Sequence, residues 1–593
     1  MLKKTFIPLY VIALLGIIYI FFYRNSSSTP EWTEFNETVF IKAKRENKLV
    51  LLHLGANWCH WCHVMEETTY EDPRVIEYLN KNFIACKEDH DQRQDLTSMY
   101  AEYGWPATII FDSNGNELLK QAGFIDPDRF IALLTQLKQN PTPLPSNNTP
   151  INDTAIVTDS TKQKALNLIH ENLLSALDIK NGGFNFGQKY IDFETFEYAF
   201  EHNTSDTLMN NWLHNSIVNS TGIYDSTWGG VFQYSTHNDW EHVHFEKLLS
   251  IQARYIKMYC WFYKRFNDSD ALKKAIGTAG YVNRFLSDPN GGFYNAQDSD
   301  LIPGEKATEY FAMNDAERIS EGIPAIDKNI YTSENAEIAE AFIILWATTG
   351  DINYLNKASK CIDLLKNTHK KYNAYIHGEA YTATTSLKDN LAMLKTLMLL
   401  YRATQNGAYK SEASMLVREI ATTFNSGKGY FYSYIGSSPI KPSYNISENI
   451  ETCRLLNYSS YFFNEPKYKK IAEDLLSFLT STTVINDITI EPGILTASEE
   501  LNSELNTAAL IIKNGNVLKS DYIKTSLSFP KFYFNDVIYT EKNIAADKLN
   551  LFDAYDKNFI LLCTSSYCSS PLFTQASYID FLYKHAFENN SSH

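Results

Sequence analysis

Two cysteines and two histidines stand within five consecutive positions of this 593-residue chain, in the order Cys59, His60, Trp61, Cys62 and His63. The spacing is compatible with three kinds of chemistry: a redox-active Cys-x-x-Cys pair, haem attachment at Cys-x-x-Cys-His, and part of a zinc site. The residues on either side of the motif must therefore distinguish these three possibilities.

The flanking sequence favours a redox pair. The apolar run NKLVLLHLGA before the motif predicts a buried strand, and the residues after Cys62 predict a helix. A Cys-x-x-Cys pair between a strand and a helix is typical of thioredoxin. Haem attachment predicts neither element, and zinc would need a second ligand pair, which we do not find at a suitable spacing. Both remain minor alternatives, and we expect no metal and no cofactor.

A position at the start of a helix predicts different roles for the two cysteines. Unpaired backbone N–H groups and the helix dipole stabilise a thiolate there, which lowers the pKa of the thiol. We therefore expect Cys59 to be the nucleophile and Cys62, one turn further along, to resolve the mixed disulfide. A charged His60 would further stabilise the thiolate and make the pair more oxidising.

A second landmark is the pair Trp105-Pro106, which directly precedes the predicted strand ATIIF. Thioredoxin folds place a cis-proline just before this strand, facing the cysteines, and cis peptide bonds are otherwise rare. We expect Pro106 to present backbone groups to an extended protein substrate and Trp105 to contact that substrate.

The length predicts several domains, and the patterns change along the chain. The predicted division is an N-terminal membrane anchor (1–24), a linker (25–31), an α/β thioredoxin-like domain (32–140), a linker (141–153), an all-α toroid (154–480) and a mixed α/β segment (481–593) that closes on the toroid. The formal net charge of −16 disfavours nucleic acid as a partner, because an acidic surface repels phosphate.

The predicted toroid consists of repeated pairs of amphipathic helices joined by tight turns. Gly- and aromatic-rich loops such as WGGVFQYSTHNDW and NGGFYNAQDSD lie between the pairs. Loops gathered at one end of the pairs would line a mouth, which favours a closed (α/α)6 toroid with a cleft over an open solenoid.

Seven residues of these loops are candidate ligand contacts. Aromatic rings can stack on sugar faces, and carboxyl groups and histidine can serve as acid and base. Equally, His244 can be a hydrogen-bonded core residue, and Asp298 and Asp300 can cap loops or helices. The predicted substrate-binding residues are Tyr234, Trp240, His244, Glu246, Gln297, Asp298 and Asp300.

Several motifs together resemble the spermatogenesis-associated protein 20 family and its bacterial relatives. They are NWCHWCHVM, WGGVFQYSTHNDWEHVHFEKLL and the tail CTSSYCSSP. The resemblance implies a thioredoxin-like domain followed by an α/α toroid similar to six-hairpin glycosidases and N-acylglucosamine 2-epimerases. The chain departs from the family pattern at KEDHDQRQD, at FGQKYI and at His242.

These features support two functional hypotheses. The first is a membrane-anchored thiol–disulfide oxidoreductase whose toroid selects or positions a substrate, with protein thiols or disulfides, or a redox partner, as its partners. The alternative is a carbohydrate-binding or carbohydrate-active toroid with an accessory, redox-sensing thioredoxin domain.

The predicted anchor is an uncharged apolar run from Thr5 to Tyr23, preceded by Lys3 and Lys4. At about 1.5 Å per helical residue, the run nearly spans the hydrocarbon core of a bilayer. It lacks a small-residue cleavage site, and the two lysines favour the inner side. We expect a single-pass protein with its bulk outside the cytoplasm.

This topology can be tested with reporters fused after His593. A reporter that folds only outside the cytoplasm should be active in the membrane fraction, because Lys3 and Lys4 hold the N-terminus inside. A fusion reporter that is active only in the cytoplasm should be silent. A signal from that second reporter, or a mature N-terminus near Ser26, would contradict the topology.

Overall fold

The computed structural model describes residues 29–100, 104–144, 159–202, 206–379, 381, 383–503, 507–512, 521–528, 535–539, 553–563 and 568–586. Contacts within the chain define two compact units, one built largely from the first 149 residues and one from the remainder. No helix among these residues is long and apolar enough to cross a membrane. The predicted anchor, residues 1–24, lies outside the described residues.

The first unit is a four-stranded sheet with helices, as expected for a thioredoxin-like domain. Its strands are β1 (Leu49–Gly55), β2 (Phe83–Asp89), β3 (Ala107–Phe111) and β4 (Glu117–Ala122), and its helices are α1 (Thr38–Glu46), α2 (His60–Thr68), α3 (Pro73–Asn82), α4 (Gln94–Tyr100) and α5 (Pro127–Gln139). The strand order is β2-β1-β3-β4, with β1 parallel to β2 and antiparallel to β3. Every residue of β1 is buried, which explains its continuous apolar run.

Short-range signals fix several boundaries in this unit. The aspartates before α3 and α5, Asp72 and Asp126, accept hydrogen bonds from backbone N–H groups of the first turn, and a proline follows each of them. β3 and β4 form a hairpin, with Gly115 at a φ of 85° in its turn. The Asp112 side chain accepts two backbone N–H bonds there, from Asn114 and Asn116.

The second unit contains six helical hairpins. The inner helices are α7 (Phe193–His202), α9 (Leu249–Phe266), α13 (Thr332–Thr349), α15 (Leu387–Thr404), α17 (Ile446–Phe462) and α20 (Pro492–Asn502). Their outer partners, given in the same order, are α8 (Thr207–Asn219), α10 (Ser269–Phe285), α14 (Ile352–Thr368), α16 (Gly407–Glu419), α18 (Lys467–Leu479) and α6 (Asp159–Ala176). Shorter helices, α11 (Thr308–Ala312), α12 (Asp315–Glu321) and α19 (Thr482–Asp487), lie in the connections.

The inner helices form a closed ring. Each packs against the next in the order α7, α9, α13, α15, α17 and α20, and α20 packs back against α7. The sixth hairpin joins α20 to α6, the first helix of the unit. The predicted (α/α)6 toroid is therefore confirmed. Its sixth inner helix lies beyond residue 480, within the C-terminal segment of the predicted division.

The turns of the hairpins follow from local chemistry. Asn267 and Gly350 end α9 and α13 in the left-handed conformation, at φ values of 55° and 80°. The next residues, Asp268 and Asp351, cap the outer helices that follow. Asn406 caps α16 in the same way. Each turn signal in the sequence therefore predicts a real helix boundary.

Short strands lie in the loops between the hairpins and in the C-terminal segment. They are β5 (Gln188–Lys189), β6 (Tyr234–Thr236), β7 (His242–His244), β8 (Lys247–Leu248), β9 (Ala296–Gln297), β10 (Ile326–Asp327), β11 (Lys370–Lys371), β12 (Ala374–Tyr375), β13 (Thr384–Ser386), β14 (Tyr434–Gly436), β15 (Thr507–Ile511), β16 (Asn535–Tyr539) and β17 (Phe559–Cys563). They pair into small two- and three-stranded sheets.

The C-terminal segment packs on the toroid near the C-terminal ends of inner helices. It contains α21 (Asp521–Leu527) and α22 (Gln575–Ala586), with β15 at the centre of its sheet. Helix α21 packs against α13 and α15, and Arg402 near the end of α15 donates to Ser526 Oγ at 2.7 Å. A disulfide joins Cys563 and Cys568, a pairing that the sequence permits but does not imply.

Ion pairs join neighbouring inner helices where the helices pack together. Arg254 on α9 lies 3.7 Å from Glu337 on α13, measured from Nε to Oε2. Lys257, three residues along α9, lies 3.2 Å from Glu340 on α13. Residues three apart share a helix face, so these charges form layers between the two helices.

The same pairing continues around the ring. Lys395 on α15 lies 3.6 Å from a carboxylate of α13 and 3.2 Å from Glu451 on α17. Arg454, three residues further along α17, binds Glu197 of α7 and Glu500 of α20, each at 2.8 Å. We call this set the ionic belt: Arg254, Lys257, Glu337, Glu340, Lys395, Glu451, Arg454, Glu197 and Glu500.

Replacing Arg454 tests the contribution of the ionic belt to stability. Arg454→Met should lower the free energy of unfolding of the toroid by about 3–5 kcal/mol, because it removes the guanidinium that binds the Glu197 and Glu500 carboxylates. Urea unfolding followed by circular dichroism measures this loss. Lys470→Met, which breaks an exposed pair with Asp474 on α18, should cost less than about 1 kcal/mol. Equal effects of the two variants would show that the belt does not stabilise the ring.

Candidate functional site

The cysteine pair lies at the N-terminus of α2. Cys59 is the N-cap residue, and its Sγ accepts a hydrogen bond from the Cys62 backbone N–H at 3.2 Å. The two cysteines form a disulfide with 5.2 Å between their Cα atoms. Both are buried, at 5% exposure for Cys59 and 1% for Cys62. An incoming thiolate therefore has more access to the Cys59 sulfur.

The residues between and after the cysteines form the outer border of the site. Trp61 is 42% exposed, and the rings of His60 and Trp61 meet edge to face with centroids 5.2 Å apart. His63 lies 3.1 Å from the Asn57 carbonyl through Nε2. A protein substrate at the disulfide would meet the Trp61 and His60 side chains first.

A row of aromatic rings connects the segment before Cys59 with the segment before Pro106. The Trp105-Pro106 peptide bond is cis, as the fold predicts. The His90 ring lies 4.1 Å from Trp105 and 5.5 Å from Trp58, measured between centroids. Trp58 Nε1 also donates to Asp91 Oδ2 at 2.7 Å. His90, which follows β2, thus contacts both Trp58, next to Cys59, and Trp105, next to Pro106.

Sequence reasoning did not identify His90 and Asp91 as part of this site. Their signal was the polar sequence DHD at the end of the buried strand FIACKED, at the same edge of the sheet as the cysteines. Residues at the C-terminal ends of parallel strands share an edge, and β1 and β2 are parallel. The position of His90 and Asp91 directly after β2 could therefore have predicted that they lie near the cysteines.

A second missed residue is His53, which lies within β1 and is completely buried. Its Nδ1 is 3.2 Å from the Tyr70 hydroxyl, and its Nε2 has no hydrogen-bond partner among the described residues. Burial, together with Lys87, lowers the pKa of His53 to about 3, so the ring is neutral at pH 7. A histidine in an otherwise apolar strand, LVLLHLG, was the sequence signal.

Two groups of side chains bring potential metal-ligand atoms within 4.8 Å of one another inside a single unit: Asp89 with His90 and Asp91, and Glu334 with His377 and Asp389. Members of each group already make hydrogen bonds or ion pairs within the protein, such as Asp89 with Asn57 and Glu334 with Lys388. We assign no metal to either group.

The structure brings several candidate residues of the toroid loops together, Tyr234 with His244 and Glu246, and places Trp240 in the core. Tyr234 on β6 and His244 on β7 stack with centroids 4.3 Å apart and 13° between planes. Trp240 is only 7% exposed, and its Nε1 donates to the Asn181 carbonyl at 2.8 Å. The Trp240 ring belongs to the core, which favours a structural role over the stacking role predicted for it.

The polar candidates in these loops are also buried. Gln297 is fully buried and accepts a hydrogen bond from the Tyr281 hydroxyl at 3.0 Å. Asp298 accepts the backbone N–H of Asp300 at 2.9 Å, which is the loop-capping alternative considered from the sequence. Glu246, Asp298 and Asp300 are each at most 5% exposed. Their predicted contact with a ligand stays a prediction.

A different group of charged residues lies at the starts of α13 and α15. Glu334 in the first turn of α13 binds Lys388 in the first turn of α15 at 2.8 Å. Asp389 accepts from His377 Nδ1 at 2.9 Å, and the Tyr331 ring stacks on His377 with centroids 4.4 Å apart. Lys388 keeps 32% of its side chain exposed, whereas Glu334, His377 and Asp389 are buried.

Electrostatics perturb several groups at this end of the ring. Burial opposes the charged form of His377, but Asp389 and Glu334 outweigh burial and raise the pKa of its imidazole. Burial raises the pKa of Glu448, in the first turn of α17, to about 8. Burial, with Glu491 and Asp192, raises the pKa of Glu194 at the start of α7. A carboxylic acid with a pKa near 8, such as Glu448, keeps its proton at pH 7 and can donate it, as an acid catalyst must.

Sequence reasoning missed this second group because it considered only the Gly-rich loops. The signal was present in the helices themselves. The first turns of α13 and α15 carry charged residues ahead of long apolar runs, as in TSENAEIAEAFIILW and LKDNLAMLKTLMLL. When such helices form a ring, their first turns come together at one end.

The fold and the cysteine pair define the class of the protein: a thioredoxin-like domain with Cys-x-x-Cys, followed by an (α/α)6 toroid. Residues 20–139 match the Thioredox_DsbH family, described as a protein of unknown function, DUF255. A thiol:disulfide interchange protein DsbD, from Photorhabdus laumondii, is 29% identical over 111 residues, which is 18% of this chain and 19% of that protein.

The resemblance to spermatogenesis-associated protein 20 is confirmed. The protein of that name from Rattus norvegicus is 26% identical over 316 residues, which cover 47% of this chain and 40% of the relative. The protein from Homo sapiens gives the same identity and coverage. The match therefore spans about two fifths of these relatives' length.

Two solved structures share the helical architecture at low sequence identity. Cellobiose 2-epimerase from Spirochaeta thermophila is 14% identical, covering 59% of this chain and 99% of that chain, with a TM-score of 0.45. Cellobiose 2-epimerase from Bacillus thermoamylovorans is 12% identical, and the match covers 54% of this chain and 87% of that chain with a TM-score of 0.43. No ligand is inferred from these likenesses.

The raised pKa of Glu448 predicts how stability depends on pH. A carboxyl group with a folded-state pKa near 8 and an ordinary unfolded-state pKa binds its proton more tightly when folded. Its contribution to stability is complete below about pH 4.5 and is lost as the pH rises toward 8. Glu448→Gln should therefore match the wild type at pH 4 and exceed it increasingly up to pH 8.

Thermal unfolding midpoints measured from pH 4 to pH 8 check this prediction. Glu473→Gln, at an exposed carboxyl on α18, is the matched control and should show no growing difference from the wild type. A constant difference between Glu448→Gln and the wild type across the pH range would contradict the raised pKa.

Proposed function

We propose that this chain is a thiol–disulfide oxidoreductase that exchanges disulfides with protein clients through Cys59 and Cys62. The observation that carries the proposal is the Cys59–Cys62 disulfide at the N-cap of α2. The similarity to a thiol:disulfide interchange protein over the same domain supports it. A membrane-anchored position outside the cytoplasm is part of the proposal and rests on the apolar run from Thr5 to Tyr23.

In the reducing direction, the exchange proceeds in two steps. The Cys59 thiolate attacks a client disulfide, forming a mixed disulfide and releasing one client thiolate. Cys62 then attacks the Cys59 sulfur, the internal disulfide forms, and the second client thiolate leaves. Two electrons pass to the client, and a dithiol partner protein must reduce the internal disulfide again. The oxidising direction is the reverse of these steps.

Two features of the geometry support different roles for the two sulfurs. The Cys59 Sγ already accepts a backbone N–H bond at the start of the helix, which stabilises its thiolate. Cys62 is one turn inside the helix and almost completely buried, so clients do not reach it directly. The first step therefore belongs to Cys59 and the second to Cys62.

Trapping variants test this assignment. Cys62→Ser should accumulate mixed disulfides between Cys59 and client proteins, because the second step is removed. Cys59→Ser should accumulate none. Non-reducing gel electrophoresis after alkylation measures the adducts, and insulin reduction by the wild type measures turnover. Equal trapping by both variants, or by neither, would refute the assigned roles.

We also propose that the toroid binds a polar, carbohydrate-like ligand at the N-terminal ends of its inner helices. The observation favouring it is the partly exposed Lys388, paired with the buried group of Glu334, His377 and Asp389, together with the half-exposed Arg254 side chain. Such a mixture of donors, acceptors and proton-transferring groups suits a ligand with many hydroxyls. The C-terminal segment contacts the opposite end of α15, through Arg402 and Ser526.

Calorimetric titration with neutral and acidic mono- and disaccharides tests the second proposal. Lys388→Met should weaken binding at least tenfold, and the exposed Lys470→Met control should not change it. Trp240→Ala is unsuitable for this purpose, because truncating a core ring opens a cavity. No binding of any sugar by the wild type at millimolar concentration would refute the proposal.

A further inference from the structure

Three buried oxygen atoms lie close together where α15 and α17 begin. They are Glu448 Oε2, Asp389 Oδ2 and Ser433 Oγ, and none of them makes a hydrogen bond within the described residues. Asp389 is fully buried, and Ser433 is 1% exposed. A buried polar atom without a partner usually costs about 1–3 kcal/mol, so three of them at one place require an explanation.

The packing of the first turns brings these three groups together. Asp389 and Glu448 lie in the first turns of α15 and α17, which pack against each other. The Ser433 carbonyl accepts from the Leu387 N–H at 2.8 Å, which holds Ser433 at the start of α15. Burial raises the pKa of Glu448, the Ser433 hydroxyl lowers it and Asp389 raises it, so both groups lie close to that carboxyl.

Other contacts already fix the positions of these side chains. Asp389 Oδ1 lies 2.9 Å from the Ser333 backbone nitrogen, which donates to it, and 2.9 Å from His377 Nδ1. Both backbone polar groups of Ser433 are hydrogen-bonded, the N–H to the Ser443 carbonyl at 2.9 Å. The second carboxylate oxygen and the hydroxyl are therefore held in place without being needed for the fold.

The number and type of these atoms indicate the group that would bind there. A primary ammonium has three N–H donors and no acceptor, so it can donate once to each oxygen. A sugar hydroxyl has only one donor. Calcium and magnesium ions take about six or more oxygen ligands, which three oxygens do not supply.

The charges at this place also favour an ammonium. Lys388 and Asp389 are the charged groups that act on Glu448 among the described residues, and each is bound elsewhere, to Glu334 and to His377. With a pKa of about 8, Glu448 keeps its proton at pH 7. A positive group beside the carboxyl can replace that proton, because it offsets the charge of the ionised form.

We propose that the ligand of the toroid carries a primary ammonium group, which binds between Glu448, Asp389 and Ser433. This inference rests on the proposed toroid ligand and specifies its class as a hydroxylated primary amine, such as an amino sugar. On binding, Glu448 releases its proton to solvent, and the three ammonium N–H groups donate to the three oxygens. The positive charge of the ligand replaces the proton, so the local charge is unchanged.

The neighbouring side chains leave a route to this site. The side chains of Lys388 and Arg254 are 32% and 46% exposed, and Glu448 is itself half-buried rather than fully enclosed. Lys388 and Arg254 both act electrostatically on the carboxylates at the start of α13, so they border the same end of the ring. Their N–H groups can bind the hydroxyls of a ligand whose ammonium lies deeper.

Calorimetric titration with matched sugars tests the ammonium site. Glucose, 6-amino-6-deoxyglucose and glucuronate carry a hydroxyl, an ammonium and a carboxylate on the same ring, and glucosamine carries its ammonium at another position. The wild type should bind one of the two amines at least tenfold more tightly than glucose, and glucuronate no more tightly than glucose. Glu448→Gln should lose this preference, because an amide cannot ionise to offset the ammonium. Glu473→Gln, at an exposed carboxyl on α18, should keep it.

Proton release gives a second readout that a merely structural role of Glu448 would not produce. Titrations at pH 7 in phosphate and in Tris, which differ in ionisation enthalpy, should show that the wild type releases close to one proton per bound amine. Glu448→Gln should release none. Amine binding by the wild type should weaken about tenfold per pH unit from pH 8 to pH 6, because protons compete for the carboxylate.

The same titrations separate this inference from the proposed carbohydrate ligand. If glucose binds as tightly as the amines, or amines bind without proton release, the ammonium site is wrong and the carbohydrate proposal stands. If no sugar binds but ethanolamine binds with a proton release that Glu448→Gln abolishes, the carbohydrate proposal fails and the ammonium site stands. Absence of binding by every sugar and by ethanolamine refutes both.

Discussion

Charge pairing between neighbouring inner helices is the interaction on which the toroid depends. A ring of helices has no single central layer of apolar side chains, because each inner helix must face both its neighbours and the interior. The ionic belt places opposite charges where the helices meet, so the two partners of each pair offset each other's charge. Buried ion pairs add little net stability compared with apolar contacts, but an unpaired partner is costly. We infer that the belt specifies which helices are neighbours.

Local signals in the sequence predicted much of the fold. Asp126 with Pro127, Gly350 with Asp351, and the strand before Cys59 all act within a few residues, and each marks a real boundary. The ionic belt could not be predicted in this way. Arg454 and Glu197 are 257 positions apart, so no pattern in either helix indicates the partner. The repeated pairs of amphipathic helices predicted the hairpins. Which charged residue pairs with which depends on contacts that only the folded ring contains.

In the candidate sites too, features within one short segment could be predicted from the sequence, and contacts between distant segments could not. The position of Cys59 at a helix start follows from the motif, because the chemistry and the helix signal share one segment. His53 is six positions earlier in an apolar strand, where a histidine has several structural explanations, and its contact with the Tyr70 hydroxyl shows only in the folded chain. In the toroid, the Gly-rich loops drew attention to residues such as Trp240 that are core packing. The accessible charges were in the first turns of the helices.

The sixth hairpin has a consequence for synthesis of the chain. Its two helices, Asp159–Ala176 and Pro492–Asn502, come from opposite ends of the toroid sequence. Domains fold as units and N-terminal ones fold first during translation. The thioredoxin-like domain, complete near residue 139, can fold while most of the toroid is still to be synthesised. The ring stays open until Asn502 has emerged, so for most of its synthesis the growing chain carries a finished cysteine pair and an incomplete ring.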